Sequence, residues 1–240
     1  MGRHIPSALS ARTHTGTWLW LALCLTLAVP AWWLAPVSLT QPVTTWHPLA
    51  QTLVMHPDMG LHQSAWVWWT SAWLHGSQLH LTHNLIALGL IAMMGMLCRV
   101  SALSAAIWCL VWPLTQLGMV IQAPPLQSYI GLSGVLHGGV AVMAMQQIVD
   151  TQSTYLKPIA WVLAVGLLIK IIMENPWSHT ITHPNGSDIA VATWGHLTGY
   201  VSATTLYLIV AASAQLICLA RQATSRRTLN RAPPRKPPGT

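Results

Sequence analysis

The chain has 240 residues, 53% of them hydrophobic and 6% charged, with 11 Lys and Arg against 4 Asp and Glu. A soluble domain carries about 25% charged residues, so this composition excludes a water-soluble globular fold and indicates an integral membrane protein with little extramembrane mass. The net charge of +7 does not indicate a nucleic-acid partner, because most basic residues follow the last apolar run, where they anchor topology.

A membrane-spanning helix needs about 20 apolar residues. Six runs meet that need, at roughly 17–37, 81–98, 101–121, 130–149, 157–174 and 189–219. Together they predict an all-α, six-helix membrane bundle over 17–220, between a cytoplasmic segment at 1–16 and a basic, disordered cytoplasmic tail at 221–240. The first run, with Arg3 and Arg12 ahead of it, is too long for a signal-peptide core and reads as a retained helix. The connection at about 38–79 contains Trp46, Trp66, Trp68, Trp69 and Trp73, and tryptophan at that density reads as a segment lying at the membrane interface. The second span can begin as early as Gln78. Pro113 falls inside the third span, where a kink is expected, and Pro158 falls in the first turn of the fifth. Ser187 and Asp188 are candidate caps for the sixth, and Pro233, Pro234, Pro237 and Pro238 mark the tail.

Basic residues set the orientation. With the N-terminus inside, Arg3, Arg12, Arg99, Lys157, Arg221, Arg226, Arg227, Arg231, Arg235 and Lys236 all fall on the inner side, and the outer segments hold Asp58 and Asp188. Lys170, near the outer end of the fifth span, can snorkel to the interface. Both termini are therefore placed in the cytoplasm of a cell whose inner membrane the chain spans. Cys24, Cys98, Cys109 and Cys218 lie in or beside apolar runs with no zinc-like spacing, so they read as structural thiols. Nothing in the sequence calls for a cofactor or a metal.

Polar groups in hydrocarbon cost free energy unless paired, so those that occur there are functional candidates. Ser133 stands in Gly131-Leu132-Ser133-Gly134 at the head of the fourth span. His196 stands in Trp194-Gly195-His196-Leu197-Thr198-Gly199 near the head of the sixth, and His80 and Asn84 open the second. Spans two, four and six run in the same direction, so these residues share one depth near the outer surface. His80 and Asn84, and likewise Ser133 and His137, are spaced i, i+4 and share a helix face. The glycines Gly131, Gly134, Gly138 and Gly139 on span four, and Gly195 and Gly199 on span six, allow the two helices to approach closely. A nucleophile, a base and oxyanion donors are the parts of a serine hydrolase. No acidic residue lies near His196 in sequence or within a span at its depth, so a Ser–His dyad is expected.

These motifs, spread over about residues 70–200, resemble the rhomboid intramembrane serine proteases. Gly131-Leu132-Ser133-Gly134-Val135-Leu136-His137-Gly138 and the histidine-rich stretch Leu74 to Asn84 are similar to the rhombosortase branch. Two residues depart from the general pattern: His137 stands where many rhomboids have tyrosine, and Gly195 stands where alanine is usual. The resemblance implies Ser133 as nucleophile, His196 as general base, and His80 and Asn84 as oxyanion donors beside the Ser133 backbone N–H. His137 either stacks on or bonds to His196, or lines the substrate cleft. His75 and His83 are read as interfacial or structural. The implied partner is a membrane protein in the same bilayer, ending in a glycine-rich motif, an apolar helix and a basic tail. Two other classes of function fit fewer features: an inactive relative that binds membrane helices, and a metal or proton transporter using His75, His80, His83, His137 and His196.

Overall fold

In the computed structural model, which describes residues 8–39, 42–149, 155–183 and 188–231, six long helices form the body of the protein. They are α1 (Ala8–Ser38), α4 (Gln78–Leu97), α5 (Ala102–Leu117), α6 (Ser133–Val149), α7 (Leu156–Met173) and α8 (Trp194–Arg231), with two short helices, α2 (Pro48–Thr52) and α3 (Val67–Thr70), between the first two. Five of the long helices are long and apolar enough to cross a membrane; α6, at 17 residues, is the shortest of those that build the bundle after α5. The fold is thus all-α, and among the described residues β-pairing is confined to two isolated bridges, Met55 with Tyr129 and Thr182 with Val191.

The packing order explains why α6 can be short. It lies against α4, α5 and α7, with α1 covering α4 and α5, so both its faces are covered by protein, and Val135, Ala141, Val142, Met143 and Ala144 are buried. Two tryptophans join the outer layers to this centre. Trp20 of α1 packs on Trp108 of α5 with ring centroids 4.3 Å apart and donates Nε1–H to the Ile91 carbonyl of α4 at 3.2 Å. Trp108 in turn donates to the Val135 carbonyl of α6 at 2.9 Å and lies over Gly139, where a Cβ would meet its ring at 2.6 Å. Each indole buries a large apolar surface and still pairs its one N–H, the condition for burying tryptophan without loss. At the opposite end of α6 from Ser133, Gln146 Oε1 accepts from the Ser101 N–H at 2.8 Å and from Ser104 Oγ at 2.5 Å, tying α6 to the start of α5.

Several boundaries differ from the sequence reading. The first helix begins at Ala8 rather than 17, and the last begins at Trp194 rather than 189. Residues 188–193 are instead held by the bridge to Thr182, and the carboxylate of Asp188 accepts from Ser77 Oγ at 2.6 Å. It therefore braces the start of α4 and does not cap α8; Ser187 lies outside the described residues. The last helix also continues to Arg231, so the described part of the expected disordered tail is helical, there being no Gly or Pro between Tyr200 and Arg231 to stop it. Residues 232–240 lie outside the described residues. By compactness the chain divides after Tyr207, and the part from Leu208 is, as far as it is described, one continuous stretch of helix.

Candidate active site

The site starts from a close approach of two backbones. A Cβ at Gly134 would lie 2.7 Å from the Gly195 carbonyl oxygen, and one at Gly199 would collide with the Gly134 carbonyl oxygen and lie 3.3 Å from the Gly138 nitrogen. Glycine alone fits at this crossing of α6 and α8. The start of α8 is also fixed to α5, since Trp194 Nε1–H donates to the Gly118 carbonyl at 2.9 Å and Thr198 Oγ1 to the Thr115 carbonyl at 3.0 Å. Before α6, Gly131 adopts φ +110° and donates its N–H to the Ser71 carbonyl at 3.0 Å. That left-handed turn, open to glycine without strain, delivers Ser133 as the first residue of α6.

The consequence is a direct contact between the two principal candidates: His196 Nε2 is 3.0 Å from Ser133 Oγ. His196 is buried at 5% exposure. Its other nitrogen, Nδ1, is 2.7 Å from Glu174 Oε2. A carboxylate only accepts, so Nδ1 carries the proton and Nε2 presents its lone pair to the serine hydroxyl. The expectation that no acidic residue stands near His196 is therefore corrected. Glu174 caps α7 just past its last turn, and Asn175 follows at φ +49°, a left-handed position that asparagine tolerates at a helix end. This turn aims the glutamate back at α8. One sequence signal could have found it: Glu174 is i+4 from Lys170 at the C-terminal end of the fifth span.

His137 stacks on His196, with centroids 4.0 Å apart and planes 11° apart. Its Nδ1–H donates to the Ser133 carbonyl at 2.7 Å, and its Nε2 accepts from Lys170 Nζ at 3.0 Å. Lys170 also reaches Glu174 Oε1 at 2.5 Å. Lys170 thus does not merely snorkel. The donor atoms of His137, Glu174 and His196 lie within 4.8 Å of one another, close enough for a cation, yet the Lys170 ammonium already bonds two of them.

On the opposite wall, the His80 ring covers Gly131, where a Cβ would lie 2.9 Å from Cε1. Its Nδ1 is buried without a hydrogen-bond partner among the described residues. Asn84, also buried, has its amide nitrogen 3.0 Å from His75 Nε2. His75 is 1% exposed, and its Nδ1 lies 3.2 Å from the Trp73 carbonyl, which assigns the ring proton to Nδ1 and leaves Nε2 to accept from Asn84. Burial, helped by the neighbouring His80, pushes the His75 imidazole down to about 3, so it stays neutral. The histidines expected at one depth fall into two pairs, His75 with His80 at 5.0 Å and His137 with His196, and His83 is exposed. A cleft of about 650 Å³ opens on Ser133 and His80, walled by residues 125–130 and by Ile181, His183 and 188–192.

A family description, the rhomboid domain, matches residues 62–213. No curated protein and no solved structure shows significant similarity to the chain.

Proposed function

The chain belongs to the rhomboid family of intramembrane serine proteases, and from that premise we propose that it is an endopeptidase that cuts single-span membrane proteins near the outer membrane boundary. The observation that carries the reading is the 3.0 Å separation of Ser133 Oγ and the buried His196 Nε2, with Ser133 lining an open cleft. Ser133 Oγ attacks the peptide carbonyl carbon while its proton passes to Nε2. The C–N bond then breaks, and the leaving amine takes that proton. A water molecule attacks the Ser133 ester, His196 accepts the water's proton, and the proton returns to Oγ as the acid is released. His80, the Ser133 N–H and Asn84 supply the oxyanion donors. The place of His80 beside Ser133 in the cleft lining and the position of Ser133 at a helix N-terminus, where backbone N–H groups have no helical partner, support that role. Asn84 acts with its amide steadied by His75.

The likeness to the rhombosortase branch supports a substrate with a C-terminal glycine-rich motif, an apolar helix and basic residues. A helical substrate must unwind to expose its carbonyl, and each glycine weakens a helix by about 1 kcal/mol relative to alanine. The excess of Lys and Arg on one side supports both termini lying in the cytoplasm. The test is Ser133→Ala in proteoliposomes, with a reporter ending in two glycines, an apolar helix and arginines. The variant should neither cleave the reporter nor label with a fluorophosphonate probe, while remaining folded. Equal cleavage by both proteins would sink the serine-protease reading.

A further inference from the structure

We propose that Glu174, held by Lys170, is a positioning residue for His196, so that the proton relay has a carboxylate third member and an ammonium behind it. The inference rests on the Ser133–His196 reading and extends it. Its basis is a closed circuit of contacts. Ser133 Oγ meets His196 Nε2, His196 Nδ1 meets Glu174 Oε2, Glu174 Oε1 meets Lys170 Nζ, Lys170 Nζ meets His137 Nε2, and His137 Nδ1 returns to the Ser133 carbonyl.

Donor and acceptor chemistry fixes every proton in that circuit. An ammonium only donates and a carboxylate only accepts. His137 must therefore accept at Nε2 and donate at Nδ1, and His196 must donate at Nδ1 and accept at Nε2. The second assignment is the one a general base needs. An ordinary Lys–Glu pair one turn apart on a helix is solvated and does little. Here Lys170 is itself 49% exposed, but the glutamate it meets and the imidazole beyond are only 22% and 6% exposed, and the two glutamate oxygens are divided between a cation and the imidazole. When His196 takes the serine proton, Glu174 stabilises the imidazolium and Lys170 opposes it. The titratable and charged groups facing His196 are Glu174 and Lys170 from the end of α7, His137 from α6 and His80 from α4.

The test is the pH dependence of labelling of the full-length protein in detergent by a fluorophosphonate. In that reaction the bond from Ser133 Oγ to phosphorus forms, the phosphorus–fluorine bond breaks, fluoride leaves and the proton goes to His196. Glu174→Gln keeps the shape and removes the charge. Its limiting rate should fall about 10²–10⁴-fold, and the midpoint of its pH–rate profile should move down by about one unit or more. Lys170→Met removes the opposing charge, so its midpoint should move up, with a smaller loss of rate. Shifts of opposite sign are a response that a purely structural salt bridge does not produce. A Glu174→Gln midpoint that stays put or rises overturns the proposal. Should that variant fail to fold, a Lys170→Met midpoint that stays put or falls overturns it equally. Loss of label in Ser133→Ala alongside such a result would leave the protease reading standing and remove only this inference. Undiminished label in Ser133→Ala would remove the reading beneath it.

Discussion

Replacing Gly199 by alanine adds a single methyl group at the crossing of α6 and α8, and its effect can be worked from the backbone. The new Cβ collides with the carbonyl oxygen of Gly134 and lies 3.3 Å from the Gly138 nitrogen. Its neighbours there are helix backbone, so no side chain can swing aside. Restoring ordinary contact requires the helices to separate by about 1 Å, and a displacement of that size near reacting groups costs about 10²-fold in rate. Overpacking of this kind also destabilises by about 1–3 kcal/mol. Gly166→Ala and Gly89→Ala are the controls, since a Cβ at either position meets nothing within 4 Å. The assay is the rate of fluorophosphonate labelling at Ser133, together with thermal unfolding of the purified protein. We expect Gly199→Ala to label about 10²-fold more slowly and to unfold at a lower temperature, with both controls unchanged. Labelling of Gly199→Ala at the wild-type rate would refute the claim that this glycine contact sets the serine–histidine distance.

Asn84→Ala should be milder than His196→Ala, because it removes one oxyanion donor, worth about 10²–10³ in turnover, whereas His196→Ala removes the proton carrier; reporter cleavage in the reverse order would mean the roles are misassigned. His137→Tyr should keep labelling within about tenfold, since an aromatic ring preserves a stack worth about 0.5–1.5 kcal/mol, and His137→Ala should label more slowly than His137→Tyr. Gln146→Leu leaves the Ser101 N–H without its acceptor and takes from the Ser104 hydroxyl the shorter of its two contacts, so its thermal unfolding should reveal a loss of about 1–3 kcal/mol, with labelling per folded molecule unchanged.

The sequence by itself determined the membrane class, the all-helical build and the glycines at the crossing of Ser133's helix with that of His196. Each of these rests on a local property. Apolar length reports a span, i, i+4 spacing reports a shared helix face, and glycine reports close approach wherever it falls. Only the tertiary structure decided the rest. Glu174 offered only its i+4 spacing from Lys170, because its reach to His196 depends on the left-handed Asn175 and on how α7 packs against α6. His75 looked like one more interfacial histidine until the segment before α4 carried it into the interior beside Asn84. Asp188 looked like a helix cap from its place ahead of an apolar run, yet the bridge between Thr182 and Val191 turns that stretch aside, and its carboxylate binds Ser77 instead. Partnerships made through turns depend on where the chain returns in space, and neither periodicity nor composition carries that information.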